Sequence, residues 1–501
     1  MRLWIGLYLP RLPLDVFSPH WSAEAASVVL EHERVLAASP LAQAGGVREG
    51  MRRGGVLMLL PQARLHEREP AREAAAMQAL AMALLQYTPQ VTLAEEASLL
   101  MDVGASLRLF GGVRALCRDI RAKVRALGFN ARLSCAPTAR GAWLLARGGS
   151  GHALGMASLK RRLDRLPAAL PLPARPFAAW LDGIGCLSLG QLRRLPRPGL
   201  QRRCGGALLG VLDAAYGMTA ELFDWIAAPT TFQARLELFD RVEQADALLA
   251  GAHSLLLQMT GWLCAHQLAV GRIVLLLEHE RGRVARPPTV LDIILAEPTW
   301  RDEHLVRLLR ERLGSLSLEA HVIGLVLEAP EVQAMAMPSE SLFPEPGGSE
   351  QDQWRMLELL VARLGPENVL QAAPRADYRP ELANRWVPVQ RTRRTGQQQM
   401  QQTQQTPPQL PPDLLSLPRP AWLLAKPVAL LMRDHRPFYG SPLRMASTPE
   451  RIEAGWWSQS QTRDYFIAQG QDHAHYWVYR ERIAGADGDT APRWFLHGLF
   501  G

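Results

Sequence analysis

The densest group of chemically capable side chains lies at residues 181–205, where two glycines precede a run of arginines. Gly183 and Gly185 flank one residue between two segments with helical patterning. Glycines at such a turn let the backbone bend tightly and present bare amide N–H groups to a phosphate at a helix N-terminus. Arginines nearby would attract a sugar-phosphate backbone without reading its sequence. They are Arg193, Arg194, Arg197, Arg202 and Arg203. The segment predicts non-specific DNA binding by a helix-hairpin-helix turn, and the alternative is a solvated helix face.

The elements that hold this turn begin with a region of alternating short apolar runs and longer helical ones. Residues 3–9, 97–103 and 130–136 have the composition of buried strands. Residues 70–87 and 111–129 have the periodicity of helices. The alternation predicts an α+β or α/β domain, joined by a proline-rich segment to the helical block that carries the two glycines.

The rest of the chain changes character several times. Residues 229–330 again mix strand-like and helix-like runs, which predicts a third, α+β domain. Residues 395–412 are rich in Gln and Pro and cannot bury a core, so a disordered linker is predicted there. The aromatic-rich terminus predicts a small β-rich module whose aromatics mostly form its core, with a docking surface as the alternative. The predicted divisions are 1–165, 166–228, 229–335, 336–394, 395–415 and 416–501.

Composition limits the classes of function. The net charge of +8 and the isoelectric point near 9.6 favour a polyanionic partner. The five cysteines show no metal-ligand spacing, which predicts thiols in a reducing compartment. His473, His475 and His497 are not spaced as a metal site either. No run of 18 apolar residues is present, so we expect a cytoplasmic protein with no membrane segment, no metal and no cofactor.

Four motifs stand in the order and spacing of one known family. They are "GGVREGM" (45–51), "YTPQV" (87–91), "MDVGASLRLFGG" (101–112) and "LSCAPTARGAWLLA" (133–146). In this the chain resembles the Y-family translesion DNA polymerases over about two-thirds of its length. The resemblance implies an α+β multidomain fold with a palm and fingers, a helix-hairpin-helix thumb and an α+β little finger, followed here by a partly disordered C-terminal extension.

The same resemblance implies that catalytic residues have been replaced. In active members the first strand ends in a metal-ligating Asp, which falls here at Tyr8. An adjacent Asp-Glu pair falls at Ala97 and Ser98, and an Asn-Lys pair falls at Thr138 and Ala139. Two-metal phosphoryl transfer needs several carboxylates in one small volume, which Tyr, Ala and Ser cannot supply.

Neighbouring acids could compensate only through a change of backbone register. Glu96 is one position before Ala97, and a shift of one residue points a side chain to the other face of a strand. Asp15 lies seven residues beyond Tyr8, past two prolines. We therefore expect no cluster of three carboxylates at the common end of the two strands.

Loss of these residues from a polymerase-like body resembles the ImuB-type proteins of bacterial mutasomes. The C-terminal segments "ADYRPELANRWVP" (376–388) and "YWVYRER" (476–482) look like that group's C-terminal region. The resemblance implies an inactive, DNA-binding adaptor. Its implied partners are DNA, the sliding clamp, an error-prone C-family polymerase and an ImuA-type RecA-like protein.

A short segment beyond the third domain, "PSESLFPEP" (338–346), predicts a clamp-binding peptide. Such peptides are extended and commonly read Gln-Leu-x-Leu-Phe, and here Leu342 and Phe343 match while Ser339 stands in place of Gln. The flanking prolines favour an extended backbone. The alternatives are a hydrophobic plug against the third domain and a competing peptide at Gln409 to Leu415.

Three functions follow from the sequence. The first is a non-catalytic DNA-binding adaptor of error-prone translesion synthesis. The second is an active Y-family translesion polymerase with displaced metal ligands. The third is a DNA-binding regulator unrelated to synthesis.

Overall fold

The computed structural model describes residues 2–19, 25–149, 151–280, 286–318, 320–335, 350–375, 377–389, 417–454, 461–482 and 493–500. Contacts divide the chain into two units, Met1–Arg363 and Leu364–Gly501. The boundary therefore falls inside the region 336–394 that the sequence suggested as one segment. The predicted clamp peptide and the Gln/Pro-rich linker lie outside the described residues.

The first unit begins with the palm and fingers, in which alternating strands and helices form where the sequence predicts them. The elements are β1 (Trp4–Tyr8), α1 (Leu12–Asp15), β2 (Ser27–Glu31), β3 (Arg34–Ala38), α2 (Pro40–Ala44), α3 (Arg53–Leu59), β4 (Arg64–Glu67), α4 (Pro70–Leu84), β5 (Val91–Ala94), β6 (Ser98–Asp102), α5 (Val113–Ala126), β7 (Arg132–Ala136), α6 (Ala139–Gly148) and α7 (Met156–Leu163).

The palm sheet has the strand order β5-β6-β1-β7, with β1 antiparallel to both neighbours. Alternate residues of each strand point to opposite faces. Ile5 and Leu7 therefore face α4 and α5 in one buried cluster, whereas Trp4 faces α6 in another. Strands β3-β2-β4 form a separate small sheet in the fingers. The palm sheet is thus covered on both faces.

The thumb is helical, as predicted. It contains a 3-10 helix (Leu172–Phe177), α8 (Ala178–Gly183), α9 (Leu189–Arg194), α10 (Arg197–Cys204) and α11 (Gly206–Ala215). Leu181, Leu189 and Leu208 are buried with residues of α6, so palm and thumb share one core.

The third domain contains β8 (Gln233–Val242), α12 (Ala245–His266), β9 (Leu268–His279), β10 (Thr289–Thr299), α13 (Asp302–Gly314), β11 (Val322–Ala334) and α14 (Glu350–Leu364). Its sheet has the order β10-β9-β11-β8 and packs α12 and α13 on one face. Helix α12 also reaches the palm, because Leu257 lies in the palm core. Lys123 and Asp302 add an ion pair of 2.7 Å between the two domains.

Helix α12 is, within the described ranges, the one helix long and apolar enough to cross a membrane by length and composition. Of its most apolar window, 72% is buried inside the protein. Burial among β-strands and helices is the environment of a core helix, so its hydropathy has a packing explanation.

The regular elements described in the second unit after α14 are all β-strands. Its elements are β12 (Leu370–Pro374), β13 (Asn384–Pro388), β14 (Trp422–Arg433), β15 (Arg436–Tyr439), β16 (Ser441–Pro442), β17 (Arg444–Met445), β18 (Glu450–Ala454), β19 (Gln461–Gln469), β20 (His475–Arg482) and β21 (Arg493–Leu499). The strand predicted from alternation in "HYWVYRER" is confirmed as β20.

Strands β14 to β21 form a sheet that closes on itself, which we call the C-terminal β-module. The order is β16-β15-β14-β21-β20-β19-β17, and β18 also pairs with β19. Only Leu443 separates β16 from β17, so one short segment pairs with β15 at its start and with β19 at its end. Most of the aromatics expected in its core are buried or half-buried, namely Tyr465, Phe466, Tyr476, Trp477, Tyr479, Trp494 and Phe495. Trp456 and Trp457 are outside the described residues.

Candidate functional site

The two strand ends that would carry metal ligands in a polymerase lie side by side. Tyr8 pairs with Ser98 across β1 and β6, and the Leu9 N–H donates to the Ala97 carbonyl at 3.0 Å. Glu96 and Ala97 have positive φ angles of 55° and 50°. Ala97 therefore belongs to the turn before β6 and not to the strand. The predicted juxtaposition of the strands is confirmed.

Helix α6 brings two arginines and a tryptophan to this corner. The helix lies against β1 at Gly6, where a Cβ atom would come within 2.5 Å of the Ala142 carbonyl oxygen. Arg140, Trp143 and Arg147 are spaced by three and four residues and so share one helix face. The Arg147 guanidinium carbon lies 5.6 Å from the Tyr8 ring centre and 4.8 Å from that of Trp143.

Glu96, the acid nearest to the replaced pair, is held by arginines. It forms ion pairs with Arg147 and Arg175, and Arg175 Nη2 donates to its Oε2 at 2.9 Å. The Arg147 side chain is only 7% exposed. Burial lowers the pKa of Arg147, and the carboxylate of Glu96 opposes that shift. Atoms Nε and Nη1 of Arg147 have no hydrogen-bond acceptor, and the ring contacts with Tyr8 and Trp143 take their place.

Glu95, the other acid of the turn, is held in the same way. Arg140 donates to its two carboxylate oxygens at 2.6 and 3.3 Å, and Trp143 Nε1 donates to its backbone carbonyl at 3.2 Å. Burial opposes ionisation of Glu95, but the bonds from Arg140 prevail and lower its pKa. Glu221 accepts from the Arg140 backbone N–H at 3.1 Å, and burial raises its pKa.

The other candidate acids have separate structural roles. Asp15 is buried and accepts from the backbone N–H of Asn130 at 2.8 Å and from its side-chain amide. Asp102 accepts from the Gly104 N–H at 3.0 Å. Among the described residues, no three His, Cys, Asp or Glu side chains form a group that could hold a metal ion.

These residues do not fit a pair of Mg²⁺ ions. Such ions need oxygen ligands that are free to approach at about 2.0–2.1 Å. Tyr8, Ala97 and Ser98 contribute no carboxylate, and the Ser98 hydroxyl donates to the Glu96 carbonyl at 3.1 Å. We call Glu95, Glu96 and Glu221 with Arg140, Arg147 and Arg175 the palm cluster. In it, three arginines neutralise the three glutamates that lie beside Tyr8, Ala97 and Ser98.

The arginines of the palm cluster were not predicted from the sequence to be functional. The spacing of Arg140, Trp143 and Arg147 within "ARGAWLLAR" was a readable signal of one helix face. Arg175 follows 79 residues after Glu96 and comes from the proline-rich joint. No local pattern connects that pair.

The thumb hairpin has the predicted turn, but its amides already have partners. Gly185 has a φ of 71°, and the space beside Gly183 and Gly185 is open. The Ile184, Gly185 and Cys186 N–H groups donate to backbone carbonyls at 2.9–3.1 Å. The expectation of bare N–H groups is therefore not met at these three positions, because the last turn of α8 uses them. A phosphate contact through Gly183 and Gly185 remains a prediction.

The thumb arginines divide by their partners. Arg193 and Arg203 lie over the rings of Tyr216 and Trp180 at 4.8 and 5.1 Å. Arg197 forms two hydrogen bonds with Asp213, at 2.9 and 2.7 Å. Arg194 and Arg202 are exposed, and neither has a carboxylate partner among the described residues. These two arginines are therefore the thumb cations most available to a phosphate.

The third domain presents a different surface. The face of its sheet away from α12 and α13 carries more acids than arginines. The acids include Glu237, Glu278, Asp292, Glu328 and Glu331, and the arginines include Arg235 and Arg272. Both arginines are paired, Arg235 with Glu278 at 3.0 Å and Arg272 with Asp292 at 2.7 Å. This face therefore offers less attraction to a polyanion than the thumb does.

The predicted clamp residues Ser339, Leu342 and Phe343 lie outside the described residues. Of the terminal histidines, His497 is fully buried and shares a hydrogen bond of 2.8 Å with the Tyr465 hydroxyl. Its role is thus in the core of the C-terminal β-module.

Comparisons with known proteins found similarity to a family model, to curated proteins and to solved structures. A family model described as the impB/mucB/samB family matches residues 19–147. The chain is 26% identical to Protein ImuB of Caulobacter vibrioides strain NA1000 / CB15N over 473 residues, which is 91% of this chain and all of that protein. Protein ImuB of strain ATCC 19089 matches with the same values.

Solved structures with similarity include a Dbh ternary complex, at 16% identity and a TM-score of 0.37 over 65% of this chain and 98% of that one. DinB from Sulfolobus solfataricus matches at 15% identity and a TM-score of 0.36 over the same shares. The similarity to the two ImuB proteins along nearly the whole chain, together with the impB/mucB/samB domain, supports an ImuB-type protein with a Y-family palm region.

Proposed function

We propose that this chain is a non-catalytic DNA-binding adaptor in DNA-damage-associated mutagenesis, acting in error-prone translesion synthesis. The observation that carries the proposal is the palm cluster. Glu96 stands next to the replaced ligand positions and is paired with Arg147 and Arg175. A carboxylate engaged in this way is not available to bind Mg²⁺ without losing charge-assisted hydrogen bonds.

The proposal also includes DNA binding through the thumb. Arg194 and Arg202 are exposed cations without a carboxylate partner in the described chain, and the hairpin is open at Gly183 and Gly185. The net charge of +8 supports a polyanionic partner. Contacts of this type bind phosphates without reading bases, which suits an adaptor that must act at any sequence.

The assay for catalysis follows primer extension by the full chain with Mg²⁺ or Mn²⁺ on samples whose DNA binding is measured by fluorescence anisotropy. We expect DNA binding without extension. Extension that is lost in Glu95→Gln/Glu96→Gln would favour the alternative, an active Y-family polymerase with displaced ligands. A chain that neither binds DNA nor extends the primer would contradict the proposal.

The thumb contact is tested by the double variant Arg194→Gln/Arg202→Gln. Arg197→Gln is the control, because the Arg197 guanidinium is already paired with Asp213. We expect the double variant to weaken binding to all duplex sequences about equally. The slope of log K against log salt should fall by about 1.8, since each duplex phosphate contact contributes about 0.9. An unchanged slope would remove the thumb from the interface. Arg193 and Arg203, which lie over rings, are expected to contribute less than Arg194 and Arg202.

Recruitment to the sliding clamp is a further part of the proposal, with Ser339, Leu342 and Phe343 as the clamp-binding peptide. The change Leu342→Ala/Phe343→Ala should abolish clamp binding and leave DNA binding intact. If clamp binding persists, the peptide at Gln409 to Leu415 is the next candidate. An error-prone C-family polymerase and an ImuA-type RecA-like protein are the other proposed partners, in the cytoplasm.

A further inference from the structure

The C-terminal β-module contains a second cluster of arginines, built around one buried acid. Asp464 on β19 is 1% exposed. Arg451 Nε, Arg480 Nη2 and Arg482 Nε each donate to its carboxylate at 2.9 Å. These bonds lower the pKa of Asp464 to about 2, against the effect of its burial. We call these four residues the Asp464 cluster.

The strand register explains why the four side chains meet. Asp464 pairs directly with Arg451 on β18 and with Arg480 on β20. Arg482 follows Arg480 by two residues, so it lies on the same face. Three arginines from the two neighbouring strands thus converge on one acid at one end of the closed sheet.

The guanidinium groups are held in place but remain accessible. The side chains of Arg451, Arg480 and Arg482 are 49%, 34% and 50% exposed. A guanidinium carries five N–H donors, and only one donor of each is bonded to Asp464. Fixing the forks in advance reduces the conformational entropy lost when an anion binds.

The charge at this end is unbalanced. Within the described part of the module, three arginines face Asp464, and Glu453, two residues from Arg451 on β18, is the other acid that acts on Arg451. The five groups retain an excess of positive charge. Planar guanidinium forks match phosphate oxygens in two-point contacts, so the cluster fits a phosphate group.

An aromatic pair lies on the same face. Phe466 follows Asp464 by two residues, and Trp494 pairs with Arg480 in the register of β21. The two rings are 5.3 Å apart, and both pack against the core of the module while part of their surface stays exposed. Guanidinium groups beside partly exposed aromatic rings are the combination that binds the backbone and bases of single-stranded nucleic acid.

We propose that the Asp464 cluster is a phosphate-binding site for single-stranded nucleic acid, separate from the thumb. It rests on the described residues of the C-terminal β-module and does not depend on whether the palm is catalytic. Asp464 acts as a positioning residue, and the three arginines contact the phosphates.

The test measures the binding of the full chain to a fluorescein-labelled oligo(dT) strand by anisotropy at several salt concentrations. Arg451→Gln/Arg482→Gln should weaken binding and reduce the salt slope by about 1.4, since each single-strand phosphate contributes about 0.7. The matched control is Lys426→Gln/Arg444→Gln, which removes the same charge from exposed positions of the same module. Arg444 pairs with Gln469, five residues along β19 from Asp464 and therefore about 17 Å away.

A second variant distinguishes a site with defined guanidinium geometry from non-specific electrostatic attraction. Arg451→Lys/Arg482→Lys keeps the charge but loses the planar forks, and it should weaken oligo(dT) binding by several-fold. Binding equal to that of the unmodified chain in either cluster variant would overturn the proposal, as would an equal loss in the control. If the cluster variants instead lose binding to a phosphoserine peptide and not to oligo(dT), the assignment to nucleic acid is wrong. A single cooperative melting transition will show that each variant is folded.

Discussion

The palm cluster and the Asp464 cluster use the same residue types to opposite effect. In the palm, three arginines meet three glutamates, and the central guanidinium, that of Arg147, is 7% exposed. In the C-terminal β-module, three arginines meet one buried acid and remain 34–50% exposed. The first arrangement balances its charges, whereas the second leaves donors and charge available. Both clusters contain three arginines. They differ in the number of acids and in the exposure of the arginines, and these two properties distinguish the charge-balanced palm cluster from the proposed binding site.

The largest effect is expected from the buried member of the palm cluster. Arg147→Ala leaves Glu96 with the more exposed Arg175 as its partner and removes the ring contacts of Tyr8 and Trp143. Breaking a buried pair costs about 3–5 kcal/mol. The loss should appear as a lower urea midpoint for the first unit, followed by the far-ultraviolet circular dichroism of its helices.

The matched control for that change is Arg175→Ala, because this side chain pairs with the same Glu96 but is 46% exposed. An exposed pair contributes about 0–1 kcal/mol. Equal effects of the two variants would break the comparison, since they would show that burial does not distinguish the members of the palm cluster.

A pH effect is expected in the β-module from His497. Burial lowers the pKa of His497 to about 4, with the nearby Arg463 acting in the same direction and Glu381 opposing it. Below its ordinary value of 6.5, the unfolded chain binds a proton that the folded chain does not. The stability of the module should therefore be full above about pH 6.5 and should fall as the pH decreases toward 4.

Thermal denaturation between pH 7.5 and 4 measures this effect, and His497→Gln should flatten the profile. His475 is exposed on β20, so His475→Gln serves as the control and should leave the profile unchanged. The contribution of Asp464 is separable, because its pKa of about 2 places its loss of stability at lower pH. A profile that stays steep in His497→Gln would contradict the assignment.

The smallest effect on stability is expected from single members of the Asp464 cluster. Arg482→Ala leaves Asp464 with Arg451 and Arg480, and the side chain removed is half exposed. The expected cost is below about 1 kcal/mol in urea unfolding of the module. A loss of unfolding free energy as large as that of Arg147→Ala would mean that the Asp464 cluster stabilises the fold in the same way as the palm cluster.

The elements of both regions could largely be predicted from sequence periodicity, but the clusters could not. Helix α4 was expected at 70–87 and is Pro70–Leu84, and helix α5 was expected at 111–129 and is Val113–Ala126. Apolar spacing is local information, which explains this agreement. Glu95 and Arg140 are 45 residues apart, and they meet only because α6 packs on β1 at Gly6.

The Asp464 cluster escaped prediction for a different reason. In "TRDYF" and "YRERI" the charged residues are consecutive, so the local pattern does not tell which of them is buried. Closure of the sheet instead buries Asp464 while its three arginine partners stay at the surface. The packing of α14 escaped prediction for a similar reason, since this helix contacts the third domain through Ala362 although the sequence changes character before it.

The central claim is that guanidinium groups, and not metal ions, neutralise the acids of the palm. Electron paramagnetic resonance of Mn²⁺ tests it most directly, in a titration of the full chain bound to primer-template DNA. DNA alone and the Glu95→Gln/Glu96→Gln variant serve as references. The account predicts the same free Mn²⁺ signal for the chain and its variant, because Arg140, Arg147 and Arg175 hold the carboxylates. One or two additional Mn²⁺ ions bound per chain, and lost in the variant, would contradict it.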